Sequence, residues 1–427
     1  MMDTPAIKIT YDSRVVVNNS FSVHMSANQT AHYPHNETFD VYEFKNQIEI
    51  PSYLIAIAVG DLEYRSLGDR VGVITEPINI DSVAEELSNL QTMLDTAEDY
   101  LTRYIWGNYS IIILPPSFPM GGMENPLLTF ASPAIITGDK SQVDVATHEI
   151  AHSWTGNDVT CENWSNFWLN EGFTVFEERK VTARIHNDTD VSKVAAYLGN
   201  ITMYQDMLGY GLDSNYSSLY PIVGNALPDD SFSNVPYEKG FQLLYYMEQE
   251  LLGEDNMQKL LRSYILDHQQ TSVTYDAFVE HFETFVEFNY NASQAQSILS
   301  RMDWDAWVHS PGLPPVQLDF TTPKLIESSS LADEYIELGG ASSPDNYTHF
   351  MDYYSNLKVV FIERLNTRIA EVDLAILERI DNDLNITHTI DPECKERWFP
   401  LGIRENYTAV FDPAHEFISG IGRLKYL

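Results

Sequence analysis

Cysteine is almost absent from this sequence. The 427 residues include two, Cys161 and Cys394. Two thiols can form at most one bridge, so the sequence excludes the class of small secreted domains that a disulfide framework holds together. We expect both thiols to be free and reduced, with a single bridge in an extracellular setting as the alternative.

Basic residues are also scarce. Lysine and arginine total 25 against 62 aspartates and glutamates, which gives a formal net charge of −37. Such a charge argues against nucleic acid or an anionic membrane surface as a partner. One interpretation is a well-solvated acidic surface, and the other is a field that attracts the cationic N-termini of peptides.

Long hydrophobic runs are missing too. The longest apolar run, residues 53–60, is far shorter than the ~20 residues that a membrane-spanning helix needs. The first residues, Met1-Met2-Asp3-Thr4-Pro5, have neither a basic start nor an apolar stretch of signal length. These absences predict a cytoplasmic protein with no membrane span, and we expect it to be a monomer.

One pattern favours a different compartment. Asn-x-Ser/Thr is the acceptor pattern for N-linked glycans, and it occurs among other places at Asn18, Asn28, Asn36, Asn187, Asn200, Asn346 and Asn406. A glycosylated, secreted surface would explain this frequency. An asparagine-rich composition is the alternative, and the lack of a signal-like start favours it.

The remaining composition is typical of a globular protein with two or three domains, since 44% of residues are hydrophobic and 20% are charged. Short runs rich in β-branched and aromatic residues predict strands at 6–11, 14–17, 21–25, 41–44, 52–59 and 109–114. Helical periodicity predicts helices over 83–105, from 238 to 251 and over 350–380. The fold class is therefore α+β, with strands first and helices last.

A short motif carries the chemistry of the chain. In His148-Glu149-Ile150-Ala151-His152 the two histidines are four residues apart, so on a helix they share one face. Eighteen residues later comes Asn170-Glu171-Gly172, at the start of a second helical pattern. Two imidazoles and a carboxylate, with a fourth position for water, form the ligand set of a catalytic zinc. We expect one Zn²⁺ per chain on His148, His152 and Glu171.

Two further carboxylates fit this interpretation. Glu149 lies beside the first ligand and is placed to take a proton from the zinc-activated water. Glu178 lies two turns after Glu171 on roughly the same face, where it could orient a ligand. The alternative is a solvated surface helix. The apolar residues of the segment 143–154 favour a packed helix instead.

Longer stretches carry a resemblance to a known family. They are Gly121-Gly122-Met123-Glu124-Asn125-Pro126, HEIAHSWTGN from His148, WLNEG from Trp168, Val235-Pro236-Tyr237-Glu238-Lys239-Gly240 and Ser310-Pro311-Gly312-Leu313-Pro314-Pro315. With these motifs the chain resembles the M1 family of zinc aminopeptidases, and within it the enzymes that also hydrolyse a lipid epoxide. The resemblance implies short peptides, and as a second class a fatty-acid epoxide, as substrates.

The resemblance also implies roles for particular residues. Tyr237 matches the tyrosine that stabilises the reaction oxyanion. Glu124 matches the glutamate that pairs with the substrate α-ammonium. The pair Gly121-Gly122 lets the backbone approach a ligand closely, and beside Met123, Asn125 and the zinc motif we expect this segment to contact a peptide substrate. A tight turn is the alternative for the glycine pair.

Three more residues match family positions at the far end of the substrate. Arg423 and Lys425 resemble the paired basic residues that hold the substrate carboxylate, with two solvated surface cations as the alternative. Asp229 aligns with the aspartate that directs water onto an opened epoxide. Phe232 and Met120 stand where the epoxide hydrolases of the family have tyrosines, so we rank peptide cleavage above epoxide hydrolysis.

The resemblance also implies a domain organisation. We expect residues 1–60 to be the remnant of a longer N-terminal β domain, 61–309 a thermolysin-like zinc peptidase domain, 310–320 a linker and 321–427 an incomplete C-terminal α-helical domain. The chain would thus lack parts that the family has at both ends. An inactive or unstable fragment that binds peptides at most is therefore the alternative to an enzyme.

Overall fold

The first 75 residues fold mainly as strands. The computed structural model describes residues 2–224 and 227–427. Its first seven strands are β1 Lys8–Asn18, β2 Ser22–Met25, β3 Asn28–Pro34, β4 Phe39–Pro51, β5 Ile57–Gly60, β6 Glu63–Ser66 and β7 Val71–Thr75. β4 pairs antiparallel with both β1 and β3, and β2 pairs with β5.

These strands differ from the predicted ones in several places, and β6 and β7 were not predicted at all. The predicted strands at 6–11 and 14–17 are parts of the single strand β1, and the predicted strand at 52–59 begins with the 3-10 turn Ser52–Leu54. β3 was not predicted, because its residues are mostly exposed and show no apolar alternation. Val23, Met25, Tyr42 and Phe44 form the small core of this region.

A five-stranded sheet supports the motif-bearing segments. Its order is β6-β7-β8-β10-β9, where β8 is Tyr109–Ile113, β9 is Gly122–Met123 and β10 is Thr129–Ala131. β7, β8 and β10 run parallel, and β9 is an antiparallel edge strand. The predicted strand over 109–114 is confirmed as β8. Because β9 is the edge, the glycine-rich segment lies along the open side of the sheet.

Helices cover this sheet and carry the predicted metal ligands. They are α1 Ile80–Glu86, α2 Leu90–Tyr100, α3 Asp144–Ala151, α4 Trp168–His186, α5 Thr189–Tyr210, α6 Val235–Tyr246, α7 Glu254–Asp267, α8 Tyr275–Asn289 and α9 Ala292–Leu299, with the short paired strands β11 Thr160–Cys161 and β12 Ser272–Val273. The single helix predicted over 83–105 is in fact α1 and α2. The helix predicted from 238 is α6, which continues as the π-helical segment Met247–Leu252.

The last part of the chain is helical. It contains α10 Pro323–Leu338, α11 Ser355–Thr367, α12 Leu374–Leu384, α13 Pro392–Arg404 and α14 Phe411–Gly420. The helix predicted over 350–380 is two helices, α11 and α12. These helices share a core around the buried side chains of Tyr335, Phe361, Leu377 and Trp398. The predicted α+β fold class is confirmed, whereas the domain boundaries stay predictions.

Two predicted features of the whole chain can be compared with the fold. Cys161 and Cys394 are both buried and unbridged, as expected. In the part of the chain that the structure describes, no helix combines the length and the apolar character that crossing a membrane requires.

Candidate active site

Two neighbouring helices bring the three predicted metal ligands together. α3 carries His148, and His152 caps its C-terminal end, while α4 carries Glu171 in its first turn. The two Nε2 atoms are 3.1 Å apart. Glu171 Oε2 is 3.5 Å from His148 Nε2 and 3.3 Å from His152 Nε2. The three side chains thus converge on one point.

The hydrogen bonds around the histidines fix where their lone pairs point. His148 Nδ1 lies 2.9 Å from Glu178 Oε2, and His152 Nδ1 lies 3.0 Å from the carbonyl oxygen of Thr155. Both partners are acceptors, so each Nδ1 carries the proton and each Nε2 of a neutral ring carries a lone pair. Two lone pairs 3.1 Å apart repel each other unless a cation or a proton lies between them.

These distances fit a zinc ion. A tetrahedral ion about 2.0–2.1 Å from each ligand atom sets those atoms roughly 3.4 Å apart. The three separations described above, 3.1, 3.3 and 3.5 Å, lie around this value. Burial raises the pKa of Glu171, but the two histidines outweigh it when their rings are protonated and lower that pKa to about 2. Glu171 is therefore a carboxylate at neutral pH before an ion takes the place of the protons on the two Nε2 atoms. The donor set and its charge therefore suit Zn²⁺.

Glu149 lies between the ligands and the edge strand β9. Its side chain is buried, and burial raises the pKa of its carboxyl to about 7 against the opposing influence of the two histidines. A Cβ atom at Gly122 would lie 2.2 Å from Glu149 Oε1. The absence of a side chain at Gly122 therefore leaves room for the Glu149 carboxylate next to β9.

Tyr237 approaches the same point from the first turn of α6. Its ring stacks on His148, with 6.2 Å between ring centroids and 20° between planes. Burial, together with the nearby carboxylates of Glu171 and Glu124, raises the pKa of the phenol well above its ordinary value of 10. The hydroxyl therefore keeps its proton at neutral pH and can act as a hydrogen-bond donor.

The glycine-rich segment places a further carboxylate near the metal ligands. Glu124 is buried, and the opposing charges of His152 and Glu171 both act on its carboxyl. Burial raises the pKa of this carboxyl. Asn157 Nδ2 donates to the Glu124 carbonyl oxygen at 2.7 Å, which ties the segment to the residues after α3. Met123 lies in β9, and Asn125 is buried.

Several residues that support the site were not predicted. Arg179 of α4 donates two hydrogen bonds to Glu238 of α6, at 2.7 and 2.9 Å, and both side chains are buried. A Cβ atom at Gly172 would lie 2.7 Å from Gly240 Cα, so the two helices cross with their backbones in contact. The crossing of α4 and α6 places Tyr237 next to Glu171. In the sequence, the only sign of this crossing was that charged and small residues occur among the apolar residues of the two helices.

The two predicted carboxylate-binding cations have different surroundings. The segment around Arg423 pairs with the loop before Gly121, since Gly422 N donates to Pro116 O at 2.7 Å and Leu424 N to Pro119 O at 2.9 Å. A Cβ atom at Gly121 would lie 2.7 Å from Arg423 Nη2, so this guanidinium borders the glycine-rich segment.

Lys425 instead faces the C-terminal helices. Its ammonium lies 2.6 Å from the nearer oxygen of Glu393 and 3.8 Å from that of Glu396, both on α13. Lys425 and the arginines Arg397 and Arg423 outweigh burial and lower the pKa of Glu393 well below its ordinary value. Lys425 is thus already paired within the chain, whereas Arg423 donates to the neutral hydroxyl of Tyr426 at 2.9 Å.

An apolar cavity of about 270 Å³ lies next to Tyr237, which packs against the lining residues Phe167 and Phe232. Its lining residues are mostly aromatic or apolar: Trp164, Phe167, Tyr216, Ser218, Leu219, Pro221, Asp229, Ser231, Phe232 and Pro236. Phe232 packs edge-on against Tyr237 at 6.3 Å between centroids, which connects the cavity to the site. Asp229 is exposed at the cavity, and Met120 is exposed just before the glycine pair.

Two family models match the sequence. Residues 85–307 match the peptidase family M1 domain, and residues 353–427 match the C-terminal region of leukotriene A4 hydrolase. The first match contains every predicted metal ligand, together with Glu149 and Tyr237.

Curated relatives match along nearly the whole chain. A leukotriene A-4 hydrolase of Xenopus laevis is 36% identical over 433 residues, which covers 99% of this chain and 69% of that protein. A leucine aminopeptidase 2 of Ajellomyces capsulatus is 34% identical over 388 residues, which covers 91% of this chain and 61% of the relative. The chain therefore spans about two thirds of the length of these relatives.

Solved structures match as well. The yeast LTA4 hydrolase in complex with bestatin superimposes with a TM-score of 0.90 at 30% identity, over 99% of this chain and 69% of that one. An M1 zinc metallopeptidase from Deinococcus radiodurans shares the fold with a TM-score of 0.55 at 22% identity, over 75% of this chain and 67% of that one.

Proposed function

Because this chain belongs to the M1 family of zinc peptidases, we propose that it is an aminopeptidase that removes the N-terminal residue of short peptides. The observation that carries the proposal is the convergence of His148, His152 and Glu171 on one point, with Glu149 and Tyr237 beside it. Zinc held by those three ligands would polarise the scissile carbonyl and lower the pKa of a bound water.

Two residues of the chain would handle protons and charge during the reaction. Glu149, with its raised pKa, takes a proton from the attacking water and passes it to the leaving amine. Tyr237, which stays protonated, donates a hydrogen bond to the oxyanion that forms at the scissile carbonyl. Tyr237 acts in the protonated form that its surroundings favour, whereas a pKa of about 7 lets the Glu149 carboxyl both accept and release a proton near neutral pH.

The restriction to N-terminal residues would come from Glu124. Its buried carboxylate pairs with the substrate α-ammonium, and this contact also leaves no room for a longer N-terminal extension. The net charge of −37 draws cationic peptide N-termini toward the protein. The name of the relative leucine aminopeptidase 2 supports apolar N-terminal residues as substrates.

The proposal is tested by metal analysis and hydrolysis of chromogenic amides of alanine, leucine and arginine. We expect about one zinc per chain, hydrolysis of at least one amide and loss of that activity on chelation. An N-acetylated amide, which has no ammonium for Glu124, is the matched control and should not be cleaved. Inactive protein without metal would favour the alternative, an inactive fragment that binds peptides at most.

Arg423→Ala is expected to raise KM for tripeptides by roughly 10- to 100-fold, the usual worth of a hydrogen bond to a charged group. Arg423 borders Gly121 of the glycine-rich segment and is available to bind the C-terminal carboxylate of a short peptide. The kcat for chromogenic amides, which have no carboxylate, should change little. Steady-state kinetics on both substrate types measures the difference.

Lys425→Ala serves as the control for Arg423→Ala, because Glu393 and Glu396 already hold the Lys425 ammonium. We expect a smaller rise in KM for this variant than for Arg423→Ala. If KM rose as much or more for Lys425→Ala, Lys425 would be the residue that binds the substrate carboxylate, and the proposed role of Arg423 would be wrong.

A second candidate function is hydrolysis of a lipid epoxide. The apolar cavity beside Tyr237 supports it, since Asp229 places one carboxylate among aromatic side chains there. The relatives named leukotriene A-4 hydrolase also support it. Phe232 and Met120 lack the tyrosine hydroxyls found in such enzymes, so we rank this activity below peptide cleavage.

Asp229→Asn separates the two activities. Asp229 lines the cavity and is not among the three metal ligands, so we expect peptide cleavage to stay within about twofold of wild type. Any epoxide hydrolysis should fall strongly, because the amide cannot direct a water as a base. Parallel assays on a peptide amide and on a fatty-acid epoxide measure both. Equal loss of peptide cleavage would show that Asp229 is misassigned.

A further inference from the structure

The Asn-x-Ser/Thr pattern is more frequent than the composition explains. Twelve of the 27 asparagines have Ser or Thr two positions later and no proline between: Asn18, Asn28, Asn36, Asn108, Asn163, Asn187, Asn200, Asn215, Asn291, Asn346, Asn385 and Asn406. Serine and threonine make up 60 of the 427 residues, so chance alone would give about four such asparagines. An asparagine-rich composition therefore does not account for twelve.

The fold separates these asparagines from the others. Nine of the twelve are exposed and none is buried. Of the 14 other asparagines within residues 2–224 and 227–427, four are exposed and five are buried: Asn46, Asn125, Asn157, Asn166 and Asn170. The asparagines that have the acceptor pattern are therefore mostly the ones that a glycan-transferring enzyme could reach.

Five of the patterns have both the asparagine and the Ser or Thr exposed: Asn28, Asn36, Asn187, Asn291 and Asn406. All five lie where an element begins or ends. Asn28 starts β3, and Asn36 lies in the turn to β4. Asn187 and Asn406 follow α4 and α13 with φ angles of 49° and 55°. Asn291 caps α9.

The hydrogen bonds of two of these side chains leave the modifiable atom accessible. Asn36 Oδ1 accepts from the backbone N–H groups of Thr38 and Phe39, and Asn291 Oδ1 accepts from Gln294 N. Nδ2, to which a sugar would be joined, makes no hydrogen bond in either residue to any residue that the structure describes. A glycan at Nδ2 would thus leave these turn-stabilising contacts in place.

We propose that the chain is N-glycosylated at these five asparagines. In each transfer a bond forms between Asn Nδ2 and C1 of the first sugar. The bond from C1 to the diphosphate oxygen of a polyprenyl-diphosphate-linked oligosaccharide breaks. Nδ2 loses one proton and the polyprenyl diphosphate leaves, so nothing is oxidised or reduced. The chain would then pass through a compartment that holds this donor, in place of the cytoplasmic location expected from its first residues.

The glycans would be attached to exposed surface and not to residues of the candidate active site. β3 is an edge strand, and the apolar side chains of Tyr33 and Phe39 near the β3–β4 turn are exposed. A hydrophilic chain at Asn28 or Asn36 shields that edge from pairing with another molecule. None of the five asparagines lines the apolar cavity or belongs to the metal-binding cluster, so the inference is independent of the peptidase site.

The test uses the full chain purified from the cells that naturally produce it. We expect digestion with peptide N-glycosidases in ¹⁸O-water to lower the intact mass in several discrete steps. Peptide mapping should find ¹⁸O-labelled aspartate at the five positions and not at Asn200, which lies within α5 and accepts from Gln242. An intact mass equal to that of the bare polypeptide, with no labelled position, would overturn the proposal.

Matched variants test one site without changing its asparagine. Thr408→Ala, expressed in the same cells, should remove one mass step by abolishing the pattern at Asn406, and Thr408→Ser should keep it. Asn382→Gln, at an exposed asparagine outside the pattern, should keep every step. A step that survives Thr408→Ala would overturn the assignment of Asn406.

Discussion

Glu149→Gln is expected to lower kcat for peptide hydrolysis by roughly two to four orders of magnitude, the usual contribution of a general base. Glutamine keeps the size of the side chain but cannot accept a proton. The metal ligands His148, His152 and Glu171 are untouched, so bound zinc should stay at about one per chain. Amide hydrolysis and metal analysis of the same preparation measure both quantities.

The stability of this variant separates a chemical role from a structural one. Burial raises the pKa of Glu149 from 4.5 to about 7 in the metal-free chain. A pKa that is higher in the folded state means that the charged form opposes folding increasingly as pH rises from about 4.5 to about 7. Glutamine carries no such charge, so the metal-free variant should melt at pH 7 no lower than wild type. A lower Tm together with lost zinc would contradict the proposed role.

The cluster of His148, His152 and Glu171 could be predicted because its geometry is local. His148 and His152 share a helix face through their spacing alone, and Glu171 starts the next long helix. The partners that orient the two histidines differ in this respect. Glu178 was predicted from its helical spacing, whereas the carbonyl of Thr155 reaches His152 because the chain turns after α3. No residue type marks such a backbone acceptor in a sequence.

The contacts that remained unpredicted join residues far apart in the sequence. Lys425 was grouped with Arg423 because both are basic and close in sequence, yet its partner Glu393 lies 32 positions earlier on α13. The Arg179–Glu238 pair likewise depends on the crossing of α4 and α6. Periodicity identifies an amphipathic helix, but it does not say which two helices meet or at what point.

The elements of the fold that could be predicted are likewise those that their own residues specify, and the others depend on contacts with distant parts of the chain. Long periodic segments predicted α4 and α6, and the short run of β-branched and aromatic residues at 109–114 predicted β8. The apolar stripe over 83–105 continues across Ser88 and Asn89, where the chain turns between α1 and α2, so periodicity alone could not find the break. β3 is held by pairing with β4 rather than by an apolar face, which leaves no pattern in its own residues.

Gly122→Ala is expected to lose nearly as much activity as Glu149→Gln, although Gly122 has no side chain. The added methyl group would lie 2.2 Å from Glu149 Oε1, so the carboxylate must rotate away from the position beside the metal ligands. The displaced atoms are the end of a side chain and not backbone, so the chain should still fold and bind zinc. Kinetics, metal content and Tm of the variant measure the three outcomes.

Two comparisons show whether the effect passes through Glu149. If it does, the double variant with Glu149→Gln should be no slower than Glu149→Gln alone, because both changes remove the same function. Gly121→Ala is the neighbouring control, since its methyl group meets Arg423 Nη2 and not Glu149. It should raise KM for tripeptides and spare amides that have no carboxylate. If both glycine variants changed the same kinetic parameter, kcat or KM, a movement of the whole glycine-rich segment would explain the results. The separate contacts with Glu149 and Arg423 would then not explain them.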